Sequence, residues 1–117
     1  MAKRNLVGIG GKKPKMIKVI GKSTDVIFRK YKKGGDIIAL FPYMVENGRG
    51  DVMSYEKIGQ HAGANYDAVM TMTKPATKTQ YKPLAVELTQ IGYKLKVIKR
   101  RNYDKFLKAY RKRLWEK

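Results

Sequence analysis

Between Thr77 and Arg101 the spacing of the apolar residues changes from helical to strand-like, and that switch restricts the fold more than any other feature of the chain. Tyr81, Leu84, Leu88 and Ile91 recur every three or four residues, which is one face of a helix. Gly92 stands just past the last of them, where a residue that accepts positive φ without strain ends a helix. Tyr93, Leu95 and Val97 then alternate with Lys94 and Lys96, and Lys99 follows Ile98. That period of two predicts a strand with one apolar and one cationic face. A helix that runs straight into a strand needs a sheet beside it, so a mixed fold is expected and a helical bundle is disfavoured.

Upstream, Thr24 to Lys33 sets Val26, Phe28 and Lys30 against Ile27, Arg29 and Tyr31, the alternation of a first strand. Lys33-Gly34-Gly35-Asp36 is a hairpin signal. Asp36 to Phe41 is almost continuously apolar, which suits a central strand. Pro42 has no N–H for a ladder and is expected to end it. Asn47-Gly48 and Gly50 mark a second turn, and Val52 to Ile58 alternates as a third strand. Gly59 to Asn65 is small and polar and reads as a loop leading into a helical turn. Tyr66, Val69, Met70 and Thr73 suit a helix, while Val69, Thr71 and Thr73 suit a strand equally well.

Thr77 and Gln80 have the spacing of a capping box. Pro83 would cost about 3 kcal/mol inside a helix, so the firm helix is expected only from Lys82. Tyr103, Phe106, Leu107, Tyr110 and Leu114 form an apolar stripe over a final helix, 103–115. Trp115 falls off the stripe, beside Lys108 and Arg111. The expected fold is α+β: a small, mostly antiparallel sheet of about four strands (24–33, 36–41, 52–58 and 93–100). One helix near 82–91 packs on it, and a basic amphipathic C-terminal helix covers an edge or lies across a face.

Charge is the next constraint. The chain has 117 residues, 43% of them hydrophobic, enough for one packed domain. Its formal net charge is +18. Residues 1–22 hold Lys3, Arg4, Lys12, Lys13, Lys15, Lys18 and Lys22 with no acid, mixed with Gly8, Gly10, Gly11 and Pro14. They read as a basic, partly flexible arm, with a weak strand at 16–20, ahead of a single domain over 23–117. Beyond Ile91, the cations face only Asp104 and Glu116. The middle is close to neutral. Charge so segregated opposes compaction and is most easily understood if a polyanion neutralises it.

Cysteine is absent, which excludes disulfides, thiolate metal sites and a cysteine nucleophile. No apolar run approaches the ~20 residues of a membrane span, and no apolar region follows the N-terminal lysines as in a secretory signal. The absence of cysteine also fits a reducing cytoplasm.

Several pieces of the chain resemble a group of short, functionally uncharacterised proteins of bacteriophages and related mobile elements. They are Phe41-Pro42, Ser54-Tyr55 with Gly59-Gln60-His61, and Thr73-Lys74-Pro75-Ala76-Thr77. Tyr81, Leu84, Glu87-Leu88, Gly92-Tyr93, Leu95 and Val97 complete the set, over about residues 25–100. The resemblance implies a phage or prophage origin and a small α+β domain; it implies no activity. Lys78-Thr79 and Pro83 depart from the group's acidic or alanine-rich pattern.

The expected function is non-enzymatic, non-sequence-specific binding of a nucleic-acid backbone, DNA or RNA. The candidate phosphate contacts are Lys94, Lys96, Lys99, Arg100, Arg101, Lys105, Lys108, Arg111, Lys112 and Arg113, with Lys12 and Lys13 from the arm. Trp115 is the candidate stacking platform, while Tyr103 and Tyr110 lie on the apolar stripe and are expected in the core. The alternative is a protein-binding module, a virion component or a factor docking on an acidic host protein. Its marker would be an exposed patch of Phe41, Tyr43, Met44 and Met53. His61 near Ser54, Tyr55 and Glu56 admits acid–base chemistry on paper, but a loop histidine holding backbone groups is the plainer expectation. No metal or cofactor is expected. Gly8 to Lys13 lacks phosphate-loop spacing, and Gly59 to Gly63 lacks a dinucleotide fingerprint.

Overall fold

Every second residue from Val26 to Arg29 turns to a different core, and both cores are filled. In the computed structural model of the chain, residues 23–56 and 60–115 are described. Expectations for the basic arm (with Lys12 and Lys13), for a strand at 16–20 and for residues 57–59 fall outside them. In chain order the elements are β1 (Thr24–Tyr31), β2 (Ile37–Val45), β3 (Val52–Glu56), β4 (Gln60–Ala64), α1 (Tyr66–Met72), β5 (Thr73–Pro75), α2 (Lys78–Ile91), β6 (Leu95–Val97) and α3 (Tyr103–Trp115).

The sheet runs β4-β3-β2-β1-β5, and β6 also pairs with β1. β1 thus has one edge on β2 and shares the other between two partners. β6 lies parallel along Thr24 to Val26, and β5 antiparallel along Arg29 to Tyr31. All other ladders are antiparallel. On one face Val26, Phe28, Ala39, Phe41 and Tyr55 pack with Leu84 and Leu88 of α2. On the other Ile27, Ile38, Leu40 and Val52 pack with Tyr66 and Val69 of α1 and Phe106 of α3. Burying each such side chain contributes roughly 1.5–3 kcal/mol, so each layer holds the sheet from its own side.

The fold is α+β as expected, with two short strands added. The segment read as a loop before Asn65 is β4, pairing with all of β3 from Val52↔Ala64 to Glu56↔Gln60. Its small residues gave no β signal; the edge of β3 organises them. The helix–strand ambiguity at 66–73 resolves as both, one after the other. The Asn65 side chain caps α1, and Thr73 leaves the helix in extended geometry to start β5. Pro75 suits β5 because that strand lies at the sheet's edge.

Pro42 does not end β2. The register to β3 jumps between Phe41↔Met53 and Val45↔Val52, so the proline sits in a bulge where no ladder N–H is required. At Gly34 and Gly35 φ is +91° and +77°, as the hairpin required.

Pro83 lies inside α2, which begins at Lys78 and not at Lys82. The capping box accounts for this. Gln80 N donates to Thr77 Oγ1 at 3.3 Å, and Thr77 N donates to Gln80 Oε1 at 2.9 Å. Both bonds hold the first turn while Pro83 leaves one interior bond unmade. At the other end Gly92 N donates to Leu88 O and Thr89 O, and Tyr93 N also reaches Leu88 O, turning the chain directly into β6. That strand is three residues long, not eight, because it meets only the first part of β1.

Two substitutions in α2 separate these effects in urea denaturation. Thr77→Ala lowers stability by about 1 kcal/mol. Pro83→Ala, at an exposed position, raises it by about 2 kcal/mol, the helix-interior cost less what proline removes from the unfolded chain.

Candidate nucleic-acid interface

α3 carries most of the candidate cations, and two tyrosines set where it starts. Tyr66 Oη accepts from Arg101 N at 3.0 Å, and Tyr43 Oη accepts from Asn102 N at 2.7 Å. Asn102 Oδ1 then accepts from Lys105 N at 3.0 Å and caps the helix. Farther along, Tyr110 donates to Gly48 O and Arg113 Nη2 to Glu46 O, both in the β2–β3 turn. Asn47 builds that turn: its Oδ1 accepts from Arg49 N at 3.0 Å, and its Nδ2 donates to Asp51 Oδ2 at 2.9 Å. The Asn47 bond, ahead of Arg49, holds the Asp51 carboxyl below the usual aspartate range. α3 therefore lies across a face of the sheet, pinned at both ends.

The apolar stripe is mostly covered, with one correction. Phe106 is buried and Tyr110 half-buried, but Tyr103 is 60% exposed because the first turn of α3 overhangs the core. The rest of the helix surface carries Lys108, Arg111, Lys112 and Arg113, all exposed, with Arg113 turned to the β2–β3 turn by its bond to Glu46 O. Trp115 is 87% exposed. Lys108, Arg111 and Trp115 follow one another at helical spacing, a cationic row ending in an indole.

Lys94, Lys96, Lys99 and Arg100 are exposed as well. Lys96 stands opposite Asp25 in the β1–β6 ladder, so both side chains leave the sheet on the face that α3 covers. Lys105 of α3 reaches the same Asp25, Nζ to Oδ2 at 2.9 Å, and this hydrogen bond raises its pKa. Lys94 and Lys96 are thereby brought to the side of α3. Lys99 is not: Ile98 turns into the core beneath α3, and Lys99 lines a crevice with Phe28, Tyr81 and Val97 on the side of α2. The three lysines do not form one face: Lys99 is three residues from Lys96, so the period of two already turns it away from Lys94 and Lys96, and Ile98 takes the place in phase with them.

Besides Arg113, bonded to Glu46 O, two candidates are committed inside the protein. Lys105 is ion-paired to Asp25 and lies 4.5 Å above the Tyr43 ring. The Arg101 side chain is only 11% exposed, stacked between the Tyr66 and Phe106 rings. Neither is a freely available surface cation. Lys94, Lys96, Lys99, Arg100, Lys108 and Arg111 make no ion pair among the described residues.

The apolar patch expected for a protein partner is not there as drawn. Phe41 is fully buried, Tyr43 holds the start of α3, and Met53 packs against the core; only Met44 is well exposed. His61 lies on β4 with Nε2 2.8 Å from Tyr93 Oη, its ring edge-on to Tyr55, and Tyr55 Oη donates to Glu87. Ser54 points to the opposite face and donates to Ala62 O. Histidine and serine are thus separated by the sheet, so His61 cannot act on Ser54. Among the described residues no group of three or more His, Cys, Asp or Glu could hold a metal. None of the described helices is long and apolar enough to cross a membrane.

Sequence reading missed Arg49, Tyr43 and Asn102. Asn102 was legible, since an Asx residue directly before a helical stripe is a cap signal. The other two act through contacts remote in sequence. Comparison of the chain with protein-family models, curated proteins and solved structures yields no match.

The indole gives a direct check. Trp115 is the chain's one tryptophan, so the protein's fluorescence should emit as from water and be quenched by acrylamide nearly as in a free peptide. A blue-shifted, protected emission in the free protein would contradict the arrangement of α3.

Proposed function

We propose that the protein binds nucleic acid without sequence specificity, as a non-enzymatic accessory factor of a bacteriophage or mobile element acting in the host cytoplasm or in the virion. The observation that carries this reading is the outer side of α3: Lys108 and Arg111 beside an indole that is 87% exposed. An aromatic ring has ~150–250 Å² to bury, roughly 4–6 kcal/mol at about 25 cal/mol per Å². Leaving tryptophan in water among cations suits a ring that stacks on a base, at about 1–3 kcal/mol each. Lys94 and Lys96 add charge on the same side, and phosphate neutralisation there releases counterions. The preponderance of lysine favours diffuse attraction over base readout.

A second reading rests on a different surface. Tyr81, Lys82, Ala85, Val86 and Thr89 of α2 line a shallow, almost wholly apolar groove, with Val86 46% exposed. Such a strip suits a protein partner. In that case Val86→Glu would abolish capture of a single stoichiometric acidic protein in the presence of nuclease.

Binding to a random oligonucleotide separates the two. Affinity should fall steeply with salt, as a straight line in log–log form. Replacing Lys94, Lys96, Lys108 and Arg111 together by Gln should reduce the slope by up to about 3.6 on duplex DNA, at ~0.9 per contact. Trp115→Ala should weaken single strands more than duplex. An affinity indifferent to salt would overturn the proposal.

A further inference from the structure

The cleft beside the start of α3 contains a guanidinium in an unusual state. Arg101 is held by its faces: Cζ lies 4.1 Å from the Tyr66 ring centroid and 4.0 Å from that of Phe106. Its edge is not held. No side-chain N–H of Arg101 has a hydrogen-bond acceptor among the described residues, and the nearest carboxylate oxygen, Asp67 Oδ1, is 3.9 Å from Nη2. Asp67 is itself 88% exposed, so water competes strongly for it. A planar cation whose faces are stacked and whose donors lack partners is prepared for a planar pair of anionic oxygens.

The surroundings indicate which anion. The cleft holds about 280 Å³ and is lined by Arg49, Gly50, Tyr103 and Tyr110 as well as Asp67 and Arg101. Arg49, 82% exposed and paired through Nη2 to Asp51 Oδ2 at 3.2 Å, brings a second guanidinium from the β2–β3 turn. Tyr103 supplies an exposed ring at the rim, 5.7 Å from the Arg101 guanidinium. Gly50 keeps the wall low: at φ +86° it accepts a geometry other residues resist, and a Cβ there would stand 3.4 Å from Phe106 Cζ. At the lower end of ligand pockets, which run roughly 300–1,000 Å³, the volume leaves room for no more than one nucleotide.

We propose that this cleft binds a single phosphorylated nucleotide. Arg101 takes two phosphate oxygens, Arg49 adds charge, and the base stacks on Tyr103. The phosphate is either that of a free nucleoside monophosphate or the terminal phosphate of a strand. The second source rests on the nucleic-acid reading above; the first does not.

The test uses the full chain, with amide NMR and calorimetry. Adenosine 5′-monophosphate should shift resonances of Gly50, Arg101 and Tyr103, inorganic phosphate should do so more weakly, and adenosine should not. Arg101→Lys keeps the charge and loses the fork, and should weaken the monophosphate about tenfold or more. Asp67→Asn should tighten it several-fold by removing the competing carboxylate. Tyr103→Ala, at an exposed position, should weaken the monophosphate but not inorganic phosphate, and it keeps the test decisive if Arg101→Lys fails to fold. A 5′-phosphorylated oligonucleotide that outcompetes its 5′-hydroxyl twin identifies a strand end; equal competition identifies the free nucleotide. Shifts confined to Lys108, Arg111 and Lys112, or equal binding of adenosine and its monophosphate, would overturn the cleft. If the monophosphate binds while random oligonucleotides do not, the cleft stands and the backbone-binding proposal fails; the reverse result removes the cleft alone.

Discussion

The burial of β1 on both faces and along both edges is the constraint that organises this molecule. A strand in that position must satisfy every backbone group and find a neighbour for every side chain. β2 takes one edge; the other is divided, with β6 serving its start and β5 its end. Arg29 shows how tight the arrangement is. It is 9% exposed, burial lowers its pKa, and among the described residues no carboxylate pairs with it. Its charge meets oxygens at the C-terminal end of α1 instead: Nη2 donates to Thr73 O at 2.8 Å and to Met70 O at 3.2 Å, and Nε to Thr73 Oγ1 at 2.9 Å. Carbonyls at a helix C-terminus carry partial negative charge, so a buried cation there is compensated without an acid. One side chain thus joins the sheet, the end of α1 and the start of β5.

The same economy of acids shapes the other face of the problem, the surplus of positive charge. Asp25 serves Lys105, Asp51 serves Arg49, and Asp67 approaches Arg101 only loosely. Exposed pairs of this kind contribute about 1 kcal/mol or less, too little to offset a net charge of +18. Lys30 and Lys74 even stand directly opposite each other in the β1–β5 ladder, an arrangement that costs stability unless an anion is near. The core must therefore carry the fold against its own electrostatics, and it does so with two separate apolar layers.

Tyrosine is the residue that connects the two concerns. Tyr43 and Tyr66 each use the hydroxyl to fix one backbone N–H at the start of α3 and the ring to receive a cation, Lys105 and Arg101 respectively. A ring can accept a positive charge on its face without a formal counter-ion. Some of the C-terminal cations thereby become structural, which leaves Lys108, Arg111 and Trp115 as the outward side of the helix. Which basic residues meet solvent and which meet a ring follows from where α3 is docked.

The amino-acid sequence by itself determined the class, the faces of β1, the hairpin at Gly34-Gly35, the end of α2 at Gly92 and the stripe of α3. All of these depend on neighbours within a few residues, where periodicity and positive-φ glycines act directly. It also determined the excess of charge at the C-terminal end and the exposure of Trp115. Only the tertiary structure decided that Gln60 to Ala64 supplies an edge strand, that Pro42 falls in a bulge, and that Tyr103 stands in solvent. Only it decided that Arg101 lies between two rings. Each of these is settled by what the segment packs against, such as β3 for β4 or Tyr66 for Arg101, and no local pattern of polarity encodes which surface a side chain will meet.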